Sequence, residues 1–77
     1  MLGQEVWTVT VEPGIYEHFK GHRYEVFAVG RHSETEEPLV LYRTLYGDYG
    51  FWARPLEMFE EFVERDGYAG PRFVRIA

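Results

Sequence analysis

The stretch "LVLYRTLYGDYGFWARP", Leu39 to Pro55, predicts two neighbouring strands joined by a turn. Aromatic and aliphatic residues on both sides of "GDYG" are typical of strands, and glycines beside an aspartate are typical of a turn. The same stretch places Arg43 and Arg54 among five aromatic rings, in a chain whose formal net charge is -5. Its residues suit both the aromatic core of a small protein and a binding face.

The length of 77 residues indicates a single domain, near the lower size at which one core suffices. The chain contains no cysteine, which excludes disulfides and cysteine-type zinc sites, and its 18% aromatic content favours a dense core. No signal peptide and no run of ~20 apolar residues is visible, so a cytoplasmic location is the default expectation, with no membrane partner. The acidic balance makes duplex nucleic acid an unfavourable partner.

Strand composition dominates the rest of the chain, with turn residues at short intervals. "VWTVTV" alternates from Val6 to Val11, and "YEVFAVGRH" from Tyr24 to His32 follows the same period of two. Leu39 to Tyr46 is the third predicted strand. "IYEHFKGHR", residues 15–23, is predicted to be an irregular link broken at Lys20-Gly21, and "SETEEP" to be a polar loop.

Two interpretations exist for the segment after Pro55, a residue suited to the first position of a helix. "PLEMFEEFVER" fits an eleven-residue helix. Alternatively, one helical turn ends near Phe59, and "EFVE" pairs with "RFVRI" across "RDGYAG", whose Asp66-Gly67 dipeptide is a strong turn signal. The hairpin is the favoured interpretation. The prediction is therefore an all-β fold, a small SH3-like barrel of about five short antiparallel strands with one short helical turn.

Four motifs resemble a known family: "YEHFKGHRYEV", "VGRHSETEEPLVLYRTLYGD", "FWARPLEMF" and "RFVRI". They are similar to the DUF1653 family of small bacterial proteins over roughly residues 14–76. The resemblance implies a compact single domain of bacterial type. It implies no catalytic residues, because no function is assigned to that family.

Symmetric closure of the two central loops gives a register for a candidate site. "SETEEP" then brings His32 opposite Leu39, and "GDYG" brings Arg43 opposite Arg54. Like charges in that position repel unless an anion lies between them. A glutamate such as Glu57 would supply it within a structural ion-pair network, and a ligand phosphate or carboxylate would supply it within a binding site. The candidate ligand-binding residues are Arg43, Trp52, Arg54, His32 and Tyr46.

Two other chemistries have weaker support. His18 and His22 are four residues apart, but Lys20-Gly21 argues against a helix that would align them, so no metal site is expected. His32-Ser33-Glu34 resembles a nucleophile set in composition only, and Ser33 fits a backbone-bonding role in the turn. No catalytic residue and no cofactor is predicted.

Three functions remain, in decreasing order of support. The first is a non-enzymatic binding module that recognises an anionic small molecule, a protein segment or single-stranded RNA through its arginine and aromatic face. The second is a structural or assembly protein that forms a homodimer through an apolar sheet face. The third is a small enzyme that uses His32 and Glu34.

Overall fold

The computed structural model of the chain describes residues 11–77, which form seven strands and one helical turn. The strand predicted over residues 6–11 lies outside the described residues, apart from Val11, which is buried. The elements in chain order are β1 (Gly14–His18), β2 (Arg23–Arg31), β3 (Pro38–Thr44), β4 (Phe51–Pro55), α1 (Leu56–Phe59), β5 (Phe62–Arg65), β6 (Tyr68–Pro71) and β7 (Phe73–Arg75).

The strands form a five-stranded antiparallel sheet in the order β4-β3-β2-β1-β7 and a separate hairpin, β5-β6. The all-β fold and the single helical turn are therefore confirmed. A barrel requires the first and last strands to pair with each other. Within residues 11–77, β4 and β7 pair on one side only, so the SH3-like barrel is not confirmed.

The irregular link predicted over residues 15–23 is wrong, because most of it is strand. β1 pairs with β2 on one side and with β7 on the other. Lys20-Gly21 is the turn of the β1–β2 hairpin, in which the Gly21 N–H donates to the His18 carbonyl at 2.7 Å. Buried Tyr16 and half-buried Glu17 alternate as in a strand. The strand was missed because it is short and polar residues follow it in the sequence.

The segment after Pro55 follows the hairpin interpretation, with a different partner strand. Pro55 ends β4 and immediately precedes the helical turn. β5 pairs with Tyr68–Pro71 across Asp66-Gly67, and "RFVRI" supplies β7, which pairs with β1. A two-residue turn brings Arg65 directly opposite Tyr68, so the nearer segment completes the hairpin.

The core lies between the helical turn and the inner face of the large sheet, which carries Tyr16, Val26, Val40 and Tyr42. Phe59, the one buried residue of α1, stacks on Phe73 with ring centroids 4.1 Å apart and meets the edge of Tyr16 at 5.4 Å. The helical turn therefore packs against the large sheet through one large side chain, that of Phe59. The buried cluster consists of Val11, Tyr16, Val26, Val40, Tyr42, Phe59 and Phe73.

Candidate functional site

The register of the central strands separates the two arginines that were predicted to face each other. Arg43 lies opposite Glu25 on one side and Phe51 on the other, whereas Arg54 lies opposite Val40. The β3–β4 pairing differs from the symmetric expectation by three positions, and an odd shift exchanges the faces of a strand. Arg54 therefore shares the inner face with Val40, and Arg43 lies on the outer face.

Arg43 and His32 have structural partners away from Arg54. The Arg43 Nε donates to Glu25 Oε1 at 2.9 Å, so the predicted glutamate partner exists, but it is Glu25. The His32 Nδ1 accepts backbone hydrogen bonds from Glu34 at 3.1 Å and Thr35 at 3.4 Å. The pairing of β2 with β3 ends with Arg31 opposite Pro38, which leaves His32 in the loop. Both side chains hold local structure.

The other three predicted site residues come together. Tyr46, Trp52 and Arg54 line one cavity of about 320 Å³. Residues from β2, β3 and the β3–β4 loop complete its wall, so the cavity lies beside the three strands β2, β3 and β4. The further lining residues are Tyr24, Tyr42, Thr44, Gly47 and Asp48.

The guanidinium of Arg54 is the cation of this cavity. It lies over the Phe73 ring at 5.6 Å, which fixes its position by a cation–π contact. Its Nε is buried and has no hydrogen-bond partner, and among residues 11–77 Arg54 forms no ion pair. Arg72 also has an unpartnered Nε, but its terminal nitrogen donates to Glu61 Oε1 at 2.7 Å. The charge of Arg72 is thus paired with a carboxylate, whereas the charge of Arg54 is not.

Two tyrosine hydroxyls share the cavity with Arg54. The hydroxyls of Tyr24 and Tyr46 lie 3.1 Å apart and share a hydrogen bond. Burial raises the pKa of Tyr24 above its ordinary value, and the hydrogen bond to Tyr46 raises it further. Tyr24 therefore stays protonated at neutral pH and presents no negative charge to the cavity.

Positive charges also surround His18, on the inner side of β1. Burial lowers the pKa of His18 below 6.5, and the charges of Arg72 and Arg54 lower it further. Its Nδ1 accepts the Lys20 backbone N–H at 3.1 Å. His18 is consequently neutral at pH 7, and the inner face is locally basic in a chain that is acidic as a whole.

Sequence reasoning missed Asp48 as a site residue. It was assigned only to the "GDYG" turn, where its Oδ1 accepts the Gly50 N–H at 3.0 Å. A turn aspartate that bonds the backbone two residues ahead is common, and the sequence carries no signal that this one also borders a cavity.

Between Val11 and Ala77, no three His, Asp or Glu side chains converge as a metal site would require. No helix in that same range is long and apolar enough to cross a bilayer.

Comparison with known proteins places the chain in a family. The sequence pattern of the family described as "Protein of unknown function (DUF1653)" matches residues 14–75. The crystal structure of a DUF1653 protein from Bordetella bronchiseptica is similar to this chain, with a TM-score of 0.80 and 33% sequence identity over 87% of this chain and 88% of that one. No functionally curated protein matches. The predicted resemblance is confirmed over nearly the predicted range, and the chain belongs to the DUF1653 family.

Proposed function

We propose that this protein is a small non-enzymatic binding module that holds the anionic group of a small molecule at Arg54. The observation that carries the proposal is the Arg54 guanidinium, half-buried against Phe73 with an unpartnered Nε, in an aromatic cavity where no described carboxylate forms an ion pair with it. Trp52 and Tyr46 would pack against the body of the ligand.

The energetics of a buried donor support an anionic ligand. A buried N–H without a partner costs about 1–3 kcal/mol relative to one that is hydrogen-bonded. A phosphate or carboxylate oxygen would remove that penalty with a charge-assisted hydrogen bond, which is stronger than a neutral one. Because Phe73 already holds the guanidinium, little side-chain entropy would be lost on binding.

The size of the cavity favours a small molecule over a polymer. Its volume of about 320 Å³ lies near the lower end of the roughly 300–1,000 Å³ that is usual for ligand pockets. A long nucleic acid would also meet the repulsion of a chain with net charge -5. Single-stranded RNA and a protein segment are therefore alternative outcomes of the binding test.

The test is a titration followed by backbone amide NMR, with inorganic phosphate, a nucleoside monophosphate, a short single-stranded RNA and a peptide mixture as separate probes. Saturable shifts are expected near Tyr24, Trp52 and Arg54 with the small anions. Arg54→Gln should abolish them and leave the dispersed spectrum of a folded protein intact. Arg43→Gln, the same change on the opposite face, should leave the shifts in place. Binding that survives Arg54→Gln would contradict the proposal.

A second candidate function is assembly of a homodimer through the outer face of the large sheet. Phe27 and Phe51 stack there with centroids 5.5 Å apart, and Phe51 is 73% exposed. Leu41 and Ala53 continue this apolar patch, which borders a hollow of about 470 Å³. A second copy of the chain would cover the patch and separate its phenylalanines from water. The same strand β4 would then serve the ligand on one face and the dimer on the other.

A further inference from the structure

The cavity that contains Arg54 also contains an acidic side chain. Asp48 and Arg54 both line it, yet they form no ion pair with each other. The Asp48 carboxylate is held by the backbone of its own turn, because its Oδ1 accepts the Gly50 N–H at 3.0 Å. Opposite charges that share a cavity and remain apart are both available to one ligand.

Trp52 lies between the two charged residues along the chain. Arg54 and Trp52 are two residues apart in β4, which spans ~7 Å, and Gly50 directly precedes the strand. A Cβ built on Gly50 would lie 3.2 Å from Asp48 Oδ1 and 3.5 Å from Trp52 Nε1, so the carboxylate lies at the indole end of the cavity. Arg54 lies at the other end, beside Phe73.

This arrangement is complementary to a dipolar molecule. An ammonium group at the indole end would meet the Asp48 carboxylate. An acidic group at the other end would meet Arg54. A purely anionic ligand of the same length would place a second negative group or an apolar tail against Asp48.

We infer that the ligand is a zwitterion whose ammonium and acidic groups are several ångströms apart, bound between Asp48 and Arg54. The inference rests on the proposed function, since it assigns the second half of the same ligand. It also fits a chain of net charge -5, which repels free anions but not a neutral dipolar molecule.

The experiment compares three probes of equal length: 6-aminohexanoate, hexanoate and hexylammonium. The zwitterion should bind about three- to fivefold more tightly than hexanoate, as expected for one added charge pair near the surface. Asp48→Asn keeps the oxygen that accepts the Gly50 N–H and removes only the charge. In this variant the affinity for 6-aminohexanoate should fall to that for hexanoate, and the affinity for hexanoate should not decrease.

The outcomes distinguish the inference of a zwitterionic ligand from the proposed anion site at Arg54. Equal affinity for 6-aminohexanoate and hexanoate, both lost in Arg54→Gln, would overturn the zwitterion and retain the anion site. Zwitterion affinity that is unchanged in Asp48→Asn would overturn it as well. Failure of every probe and of phosphate to bind at the cavity would reject both the inference and the proposed function.

Discussion

Arg43 and Arg54 lie on neighbouring strands, but their guanidinium groups have different surroundings. Arg43 donates to Glu25 at 2.9 Å from the outer face, and its charge is satisfied within the fold. Arg54 lies on the inner face over Phe73, where no described carboxylate reaches it. A guanidinium held on an aromatic ring keeps its donors directed at whatever enters the cavity. The candidate site therefore depends on one side chain.

His18 makes stability depend on pH. Its pKa in the folded protein lies below 6.5 because it is buried near Arg72 and Arg54, with Lys20 and His22 adding smaller effects. Between that lowered pKa and 6.5 the unfolded chain binds more protons than the folded one, so the free energy of unfolding must fall as pH decreases through this window. Above the window the contribution of His18 is fully present and constant.

Urea denaturation at a series of pH values, from well above to well below 6.5, measures this effect. His18→Gln should flatten the dependence in that window. A dependence that is identical in wild type and His18→Gln would show that His18 titrates alike in both states.

The β5–β6 hairpin depends on two residues in left-handed backbone conformation. Asp66 has φ 53° and Gly67 has φ 83°, the pair of positive values that a two-residue turn between right-twisted strands requires. Glycine adopts this conformation without strain, and aspartate and asparagine tolerate it better than other residues. The turn thus fixes the register that places Val63 in the interior.

Gly67→Ala should therefore lower the free energy of unfolding by about 1–2 kcal/mol, the strain of an L-residue in that conformation. Asp66→Asn, the matched control, should change it by less than about 0.5 kcal/mol, because asparagine suits the same conformation. Equilibrium urea unfolding measures both variants. Equal stability of Gly67→Ala and wild type would be inconsistent with a left-handed Gly67.

Local signals at the element scale are readable from the sequence. The Asp66-Gly67 turn and the helical turn after Pro55 depend on residues within four positions of each other, and both are present. The pairing of β1 with β7 joins segments far apart in the sequence, so β1 was predicted to be an irregular link, and "RFVRI" was assigned to β5, whose partner is the adjacent β6. The bulge between Val26 and Ala28 is a similar case, since no local motif marks it.

The apolar outer patch is a property of the whole molecule, because no segment of residues 11–77 covers it. If the homodimer forms there, sedimentation should show a dimer whose population rises from low micromolar to near-millimolar concentration. Phe51→Ser should shift that equilibrium toward monomer without loss of folding, since Phe51 is 73% exposed. Phe62→Ser changes a phenylalanine of similar exposure, 64%, on the small sheet and should leave the equilibrium unchanged. A wild-type protein that stays monomeric throughout would exclude this assembly.

The composition of the candidate site shows how far sequence reasoning reaches at the scale of the whole chain. The assumed register grouped Arg43, Arg54, Trp52 and His32 on one face, with Tyr46 nearby. The fold brings Tyr46, Trp52 and Arg54 to one cavity, and the real register places Arg43 and His32 elsewhere. Alternation within one strand is a local property, but alignment between strands depends on loop geometry that composition does not specify.

The most direct test of the account observes the Arg54 side chain itself, through its Nε–H resonance in ¹⁵N-labelled protein. Because this proton lacks a partner in the described fold, phosphate bound at the Arg54 guanidinium should shift its resonance saturably. The Arg43 Nε–H, already bound to Glu25, should not respond and serves as the internal reference. An Arg54 resonance that stays unchanged up to high phosphate concentration would contradict the claim that Arg54 is an anion receptor.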